Sequence, residues 1–197
     1  MKKLLLALIL LVGTSAYADT LTFTGSTANG EYGPYSMQLN GGPVTPMICF
    51  SDNNWITGGE SWNVQAYNIG QITGQSTFPG SQAQYNELGY LANELFADPG
   101  NSDLQLAIWT VFGLSGPFTA TAGSSTDLAN AVAAVNGGYV ASDVLFYIPV
   151  GSFTSSNGYP YGTPQPFIAE TPEPSSLALL VTGMLALMLL VIRRGRA

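Results

Sequence analysis

Two side chains in this chain could carry out covalent chemistry together, and both lie in apolar surroundings. Cys49, the one thiol, sits in Met47-Ile48-Cys49-Phe50-Ser51-Asp52, a run that reads as a strand. Gln105 sits in Leu104-Gln105-Leu106-Ala107-Ile108-Trp109, in the first turn of an expected helix. The chain has no His, so Ser-His-Asp triads, Cys-His pairs and His-containing zinc sites are excluded. A single Cys also excludes an internal disulfide and a Cys-rich metal cluster. The plain reading of a lone Cys is a small core hydrophobe. Ser102-x-x-Gln105 likewise fits a capping box, which would place Gln105 at a helix start for local reasons.

The two segments resemble the paired motifs of bacterial surface thioester domains. In that family an apolar-Cys-apolar segment supplies a thiol and a Gln-x-Ala-Ile-Trp-like segment supplies a carboxamide. Cys49 and Gln105 stand at those positions, and Ala107, Ile108 and Trp109 match the residues that follow the Gln. The resemblance implies that the thiol and carboxamide condense, with loss of ammonia, into an internal thioester. An external nucleophile, a surface amine or a polysaccharide hydroxyl, would then attack the Gln105 acyl carbon. Cys49 would leave as the thiolate, and the protein would remain attached through Gln105. Such a bond survives only where water is kept away, so Phe50 and Trp109 are the expected shields. Free N–H groups at the start of the Gln105 helix would face the developing oxyanion. No cofactor or metal is expected, and the chain would act at most once, as a covalent tether and not as an enzyme.

The charge pattern bears on this chemistry. The five basic residues are Lys2, Lys3, Arg193, Arg194 and Arg196, all at the two ends. Residues 19–171 carry eleven acids (the chain's 12 less Glu173) and no Lys or Arg. Nucleic acid binding depends on cations that neutralise phosphates, so no nucleic acid partner is expected. Ion pairs between side chains cannot form within that span, and no lysine of its own could consume an activated acyl group.

The ends themselves read as addresses. Lys2-Lys3, the apolar run Leu4 to Val12 and then Ala16-Tyr17-Ala18 make a signal peptide over residues 1–18, with signal peptidase cleaving before Asp19. At the other end Pro172-Glu173-Pro174 precedes Ser175-Ser176, an apolar run from Leu177 to Ile192 and Arg193-Arg194-Gly195-Arg196. As a helix that run would reach roughly 24 Å at ~1.5 Å per residue, workable for a thin bilayer, with the arginines on the cytoplasmic side. This ordered triplet resembles the PEP-CTERM sorting signal of Gram-negative bacteria. The resemblance implies export across the inner membrane, a membrane-anchored precursor, and processing near Pro174 by an exosortase. The destination would be the cell surface or the extracellular polysaccharide matrix, as in a biofilm adhesin. The plainer alternative is a C-terminal membrane anchor on a proline-rich stalk.

Between the ends lies chain enough for one domain. Residues 19–158 are expected to form an α+β ectodomain with N-terminal strands, a central helical block and closing strands. Residues 159–174 hold five prolines and read as a linker, with residues 175–197 forming the sorting helix and its tail. Leu21 and Phe23, then Tyr35, Met37 and Leu39, alternate with polar residues as strands do. Val44–Phe50 and Trp62–Ile69 continue that pattern. A helix capped by Ser81 should turn Tyr85, Leu88, Ala92, Leu95 and Phe96 to one face and end at Asp98-Pro99-Gly100. A second should bury Leu104, Ala107, Ile108 and Val111. A third, capped by Ser125 or Thr126, should bury Leu128, Ala131, Val132 and Val135 before stopping at Gly137. Val144–Val150 and Pro166–Ala169 read as closing strands, the latter inside the span assigned to the linker.

Three weaker constellations complete the reading. Asp52-Asn53-Asn54 offers oxygen ligands for calcium but reads more simply as a solvated turn. Tyr159, Tyr161 and Phe167 could stack on sugars or simply pack. The eleven acids show no dyad spacing, so an extracellular hydrolase has little support.

Overall fold

Strand formation in the first third of the chain follows from alternation and is locked by its turns. The computed structural model describes residues 18–26, 32–52, 56–113, 117–151 and 164–171. The strands are β1 (Asp19–Ser26), β2 (Tyr35–Leu39), β3 (Val44–Cys49), β4 (Ser61–Tyr67), β5 (Val144–Pro149) and β6 (Phe167–Glu170). Asn40 and Gly41 both take positive φ (53° and 68°) between β2 and β3, and Gly42 N–H closes the turn on Leu39 C=O at 2.9 Å. That is the type I′ geometry that matches strand twist, and it is why Asn-Gly occupies the site.

The six strands close into an antiparallel barrel in the order β1-β2-β3-β6-β5-β4. Closure gives each of these strands a partner on both sides. The last strand is the stave that completes the circle, since β6 pairs Phe167 with Cys49 on one side and with Tyr147 on the other. One face of the sheet gathers Trp62, Tyr35 and Phe167, with ring centroids 5.9 Å (Tyr35–Phe167) and 6.1 Å (Trp62–Phe167) apart. On the opposite face Phe146 meets Tyr85 of the helical layer at 5.3 Å.

That layer is inserted between β4 and β5: a short 3-10 turn (Ile72–Gly74), then α1 (Gln82–Ala97), α2 (Ser102–Thr110) and α3 (Ala122–Asn136). Ser81 caps α1 in a full capping box with Gln84, as its position implied. Gly89 lies in the middle of α1, where glycine costs about 1 kcal/mol in helix propensity. Packing explains it: a Cβ there would stand 2.2 Å from the Cβ of Ala141. Helix α2 buries every residue from Leu104 to Trp109, the pattern of a helix surrounded by protein.

The strand and helix order is the expected one, and several local readings change. Helix α3 starts earlier than expected, capped by Thr121 with Ser124 in the reciprocal position, and not by Ser125 or Thr126. Of its expected inward residues only Ala131 is buried. Leu128 and Val135 are half-buried and Val132 is exposed, because α3 is the outer helix against α1 and α2. Residues 164–169 are buried and belong to the domain, so the ectodomain does not end at 158 and the stretch read as linker gives up Phe167–Glu170 to β6. Among the described residues no helix is long and apolar enough to cross a membrane. Ala16, the run Leu177 to Ile192, and the sorting residues Pro172, Glu173, Pro174, Arg193, Arg194 and Arg196 lie outside the described residues. Ala18 is described and exposed, and β1 begins at the next residue.

Candidate functional site

The end of β3 delivers Cys49 to the point where the barrel meets α2. Cys49 and Gln105 are fully buried, and Trp109 is 3% exposed. The Gln105 carboxamide is held at both ends. Its Nε2 donates to the Cys49 main-chain carbonyl at 2.9 Å, and its Oε1 accepts from the Gly33 N–H at 3.0 Å. Two residues along from Gly33, Tyr35 pairs with Met47 across β2 and β3. The carboxamide thus makes the two bonds that a peptide group of a neighbouring strand would make at this rung. Gly33 is fixed from its other side too, since its carbonyl accepts from Gly100 N–H at 3.2 Å.

The thiol is addressed separately. The Trp109 indole Nε1–H donates to Sγ at 3.3 Å, one turn along α2 from Gln105. Sγ in turn lies 3.8 Å from the Ser51 carbonyl, and the Tyr35 side chain also hydrogen-bonds the sulfur. Burial pushes the Cys49 thiol up to about 11. Hydrogen bonds from Trp109, Tyr35 and Ser51 oppose that rise, and the charge of Asp52 adds to it. The sulfur is therefore a neutral thiol at physiological pH, with donors already in place for negative charge.

Aromatic rings cover the site, though not the pair expected. Trp109 lies against Phe118 at 4.6 Å and Tyr32 at 6.2 Å, both half-buried and drawn from different loops. Phe50 is buried but points into another cluster, with Phe78 at 5.8 Å and Phe112 and Phe146 at 6.2 Å. Its part in excluding water is to seal the layer between sheet and helices.

The start of α2 also departs from expectation. Asn101, not Ser102, is the N-cap, and its Oδ1 accepts from Asp103 N–H at 3.0 Å and Leu104 N–H at 3.3 Å. The Gln105 side chain makes no capping box, and the N–H groups of Asp103, Leu104 and Gln105 are all held by Asn101. The donor on the Gln105 carbonyl oxygen comes instead from Gly33. Gly33, Tyr32 and Phe118 were not singled out in the sequence, and Tyr35 was read there only as a strand residue. Gly33 acts through its backbone, which leaves no side-chain signature. The Gly33-Pro34-Tyr35 segment adjoining a strand was the one available cue.

The remaining candidates separate from this site. Phe167 is fully buried between Tyr35 and Trp62 and is core, not a sugar platform. Asp52 is buried, while Asn53, Asn54, Tyr159 and Tyr161 lie outside the described residues. Among the described residues no group of three or more His, Cys, Asp or Glu could hold a metal ion. No protein-family model, curated protein or solved structure matches the chain.

Proposed function

We propose that this is an exported surface or matrix protein acting as a single-use covalent tether, through an internal thioester between Cys49 and Gln105. The observation that carries the reading is the double hydrogen bonding of the Gln105 carboxamide, to the Cys49 carbonyl and from the Gly33 N–H, in a buried site with an indole donor on the Cys49 sulfur. A carboxamide so held cannot rotate away, and fixed geometry replaces the base that a chain without His lacks. The barrel and the Trp109 cover keep bulk water out, which a thioester requires. Residues 19–171 offer no lysine as a competing nucleophile, so the captured group is a surface amine or a polysaccharide hydroxyl from another molecule. The sequence of the C-terminal segment supports exosortase handling of the membrane-anchored precursor.

Full burial and complete hydrogen bonding of Gln105 equally suit a second reading. In it the carboxamide is a structural splice between β3 and the Gly33 segment, Cys49 is inert, and the protein works as a structural matrix component. Intact mass separates the two. The tether predicts a protein lighter by one ammonia, with full mass restored in Cys49→Ala and Gln105→Ala. Full mass with an intact Gln on peptide mapping of position 105 would leave only the structural reading. Sorting has its own test, because a mature protein that keeps Arg193–Arg196 was not processed near Pro174.

A further inference from the structure

The thiol and the carboxamide supply the atoms of the thioester, but neither stabilises the oxyanion through which it must form and break. We propose that the main-chain N–H of Gly33 is the oxyanion donor for both acyl-transfer steps at Gln105, and that Gly33-Pro34-Tyr35 is a third catalytic arm. The inference rests on the tether reading above.

Its basis is geometric. In formation, Cys49 Sγ bonds to Gln105 Cδ and the Cδ–Nε2 bond breaks. The thiol proton passes to the departing nitrogen, which leaves as ammonia. In capture, an amine nitrogen bonds to Cδ, the Cδ–Sγ bond breaks, and an amine proton passes to sulfur. Both steps place negative charge on Oε1, and Gly33 N–H already points at that atom from 3.0 Å, buried from water. A donor fixed in advance in such a site is worth most, because nothing has to reorganise as charge appears. At the start of α2, Asn101 holds the N–H groups of Asp103, Leu104 and Gln105. Tyr35, from the same segment, hydrogen-bonds the sulfur that leaves in the second step.

The position also demands glycine for a reason unrelated to φ. A Cβ at residue 33 would stand 2.9 Å from Gln105 Oε1 and 3.2 Å from the Tyr35 ring. Only a residue without a side chain lets the backbone N–H approach the reacting oxygen this closely.

The test uses the full chain, wild type and Gly33→Ala, with methylamine as the probe nucleophile. Intact mass reads thioester formation, and the mass gain with methylamine reads its opening. Gly33→Ala is expected either to keep full mass or to react about 10²-fold more slowly, the loss typical of one oxyanion donor. Where thioester remains, its carbonyl infrared stretch should move to higher frequency than in the wild type, a shift that altered folding alone would not give. Should Gly33→Ala fail to fold, the wild type still decides by NMR. The Gly33 amide proton must stay protected from exchange in the ammonia-deficient form and lose protection in Gln105→Ala. A wild type at full mass with Gln intact overturns the tether itself. A deficient wild type whose Gly33 amide exchanges freely, or a Gly33→Ala protein that forms and opens the bond like the wild type, overturns only the role of Gly33.

Discussion

Replacing Gln105 with Glu, in a Cys49→Ala background where no thioester can form, should convert the buried site into a pH-sensitive one. Gln105→Glu keeps the side chain's shape and leaves one oxygen to accept from Gly33 N–H. The other oxygen replaces an NH2 group that donates to the Cys49 carbonyl at 2.9 Å. Ionised, the new carboxylate faces a carbonyl oxygen in a site with no Lys or Arg anywhere in residues 19–171 to balance it. Protonated, its O–H donates to that carbonyl and both bonds are restored. The folded carboxyl must therefore titrate above its ordinary ~4.3. A raised folded value stabilises fully below the unfolded value and is lost as pH rises through the folded one. At ~1.36 kcal/mol per pH unit, the penalty relative to the parent should grow from near zero at about pH 4 to as much as ~3.7 kcal/mol at pH 7. That is a large share of the roughly 5–15 kcal/mol that holds a domain together. Gln105→Met is the control, since it orphans Gly33 N–H and Cys49 C=O at about 1–3 kcal/mol each at every pH. Denaturant unfolding of the parent and both variants between pH 4 and 7.5 reads these differences. A pH-independent difference for Gln105→Glu would refute the two-ended hydrogen bonding of the carboxamide.

Three further outcomes follow from the same structure. In any molecules holding a free thiol, native Cys49 should resist iodoacetamide until pH approaches about 11, and Trp109→Phe, which deletes a bond that lowers that value, should move labelling higher still; ready labelling at pH 8 in the folded protein would contradict the burial. Gly89→Ala should destabilise by about 1–3 kcal/mol in denaturant unfolding, because overpacking against Ala141 outweighs the gain in helix propensity, and a stabilised variant would show that the contact yields. Asn101→Ala should cost about 1 kcal/mol by freeing two N–H groups of α2, whereas Ser102→Ala should cost much less; the reverse ranking in thermal unfolding would restore Ser102 as the cap.

Much of the architecture was legible locally, and the parts that were not share a cause. Alternation located the strands, and the Ser81 cap and the Asp98-Pro99-Gly100 stop bounded α1 within a residue or two. Barrel closure depends on pairing Cys49 with Phe167, far apart in the chain, and periodicity carries no information about partners. The same blindness set the domain boundary at 158 although Pro166–Ala169 also read as a strand: proline content describes how a segment starts, not what it packs against. At the site, Cys49, Gln105 and Trp109 were recognisable because each is a distinctive side chain within a short motif. Gly33 was not, because its contribution is a backbone donor. The helix-terminus expectation missed one residue, since Asn101 takes the N–H groups of Asp103 and Leu104.

The position of β6 also has a mechanical consequence. A load applied beyond Thr171 pulls β6 along its own axis while β3 and β5 grip it from both sides. Its ladder bonds are then stretched in parallel, in shear, and must yield together and not one after another. The stave that feels the pull first lies directly beside Cys49, so the path from the C-terminal side to Gln105 crosses one rung of sheet and the carboxamide bonded to it. For a molecule fastened at both places, tension would run through a short, stiff corner of the barrel and leave α1, α3 and most of the strands unloaded.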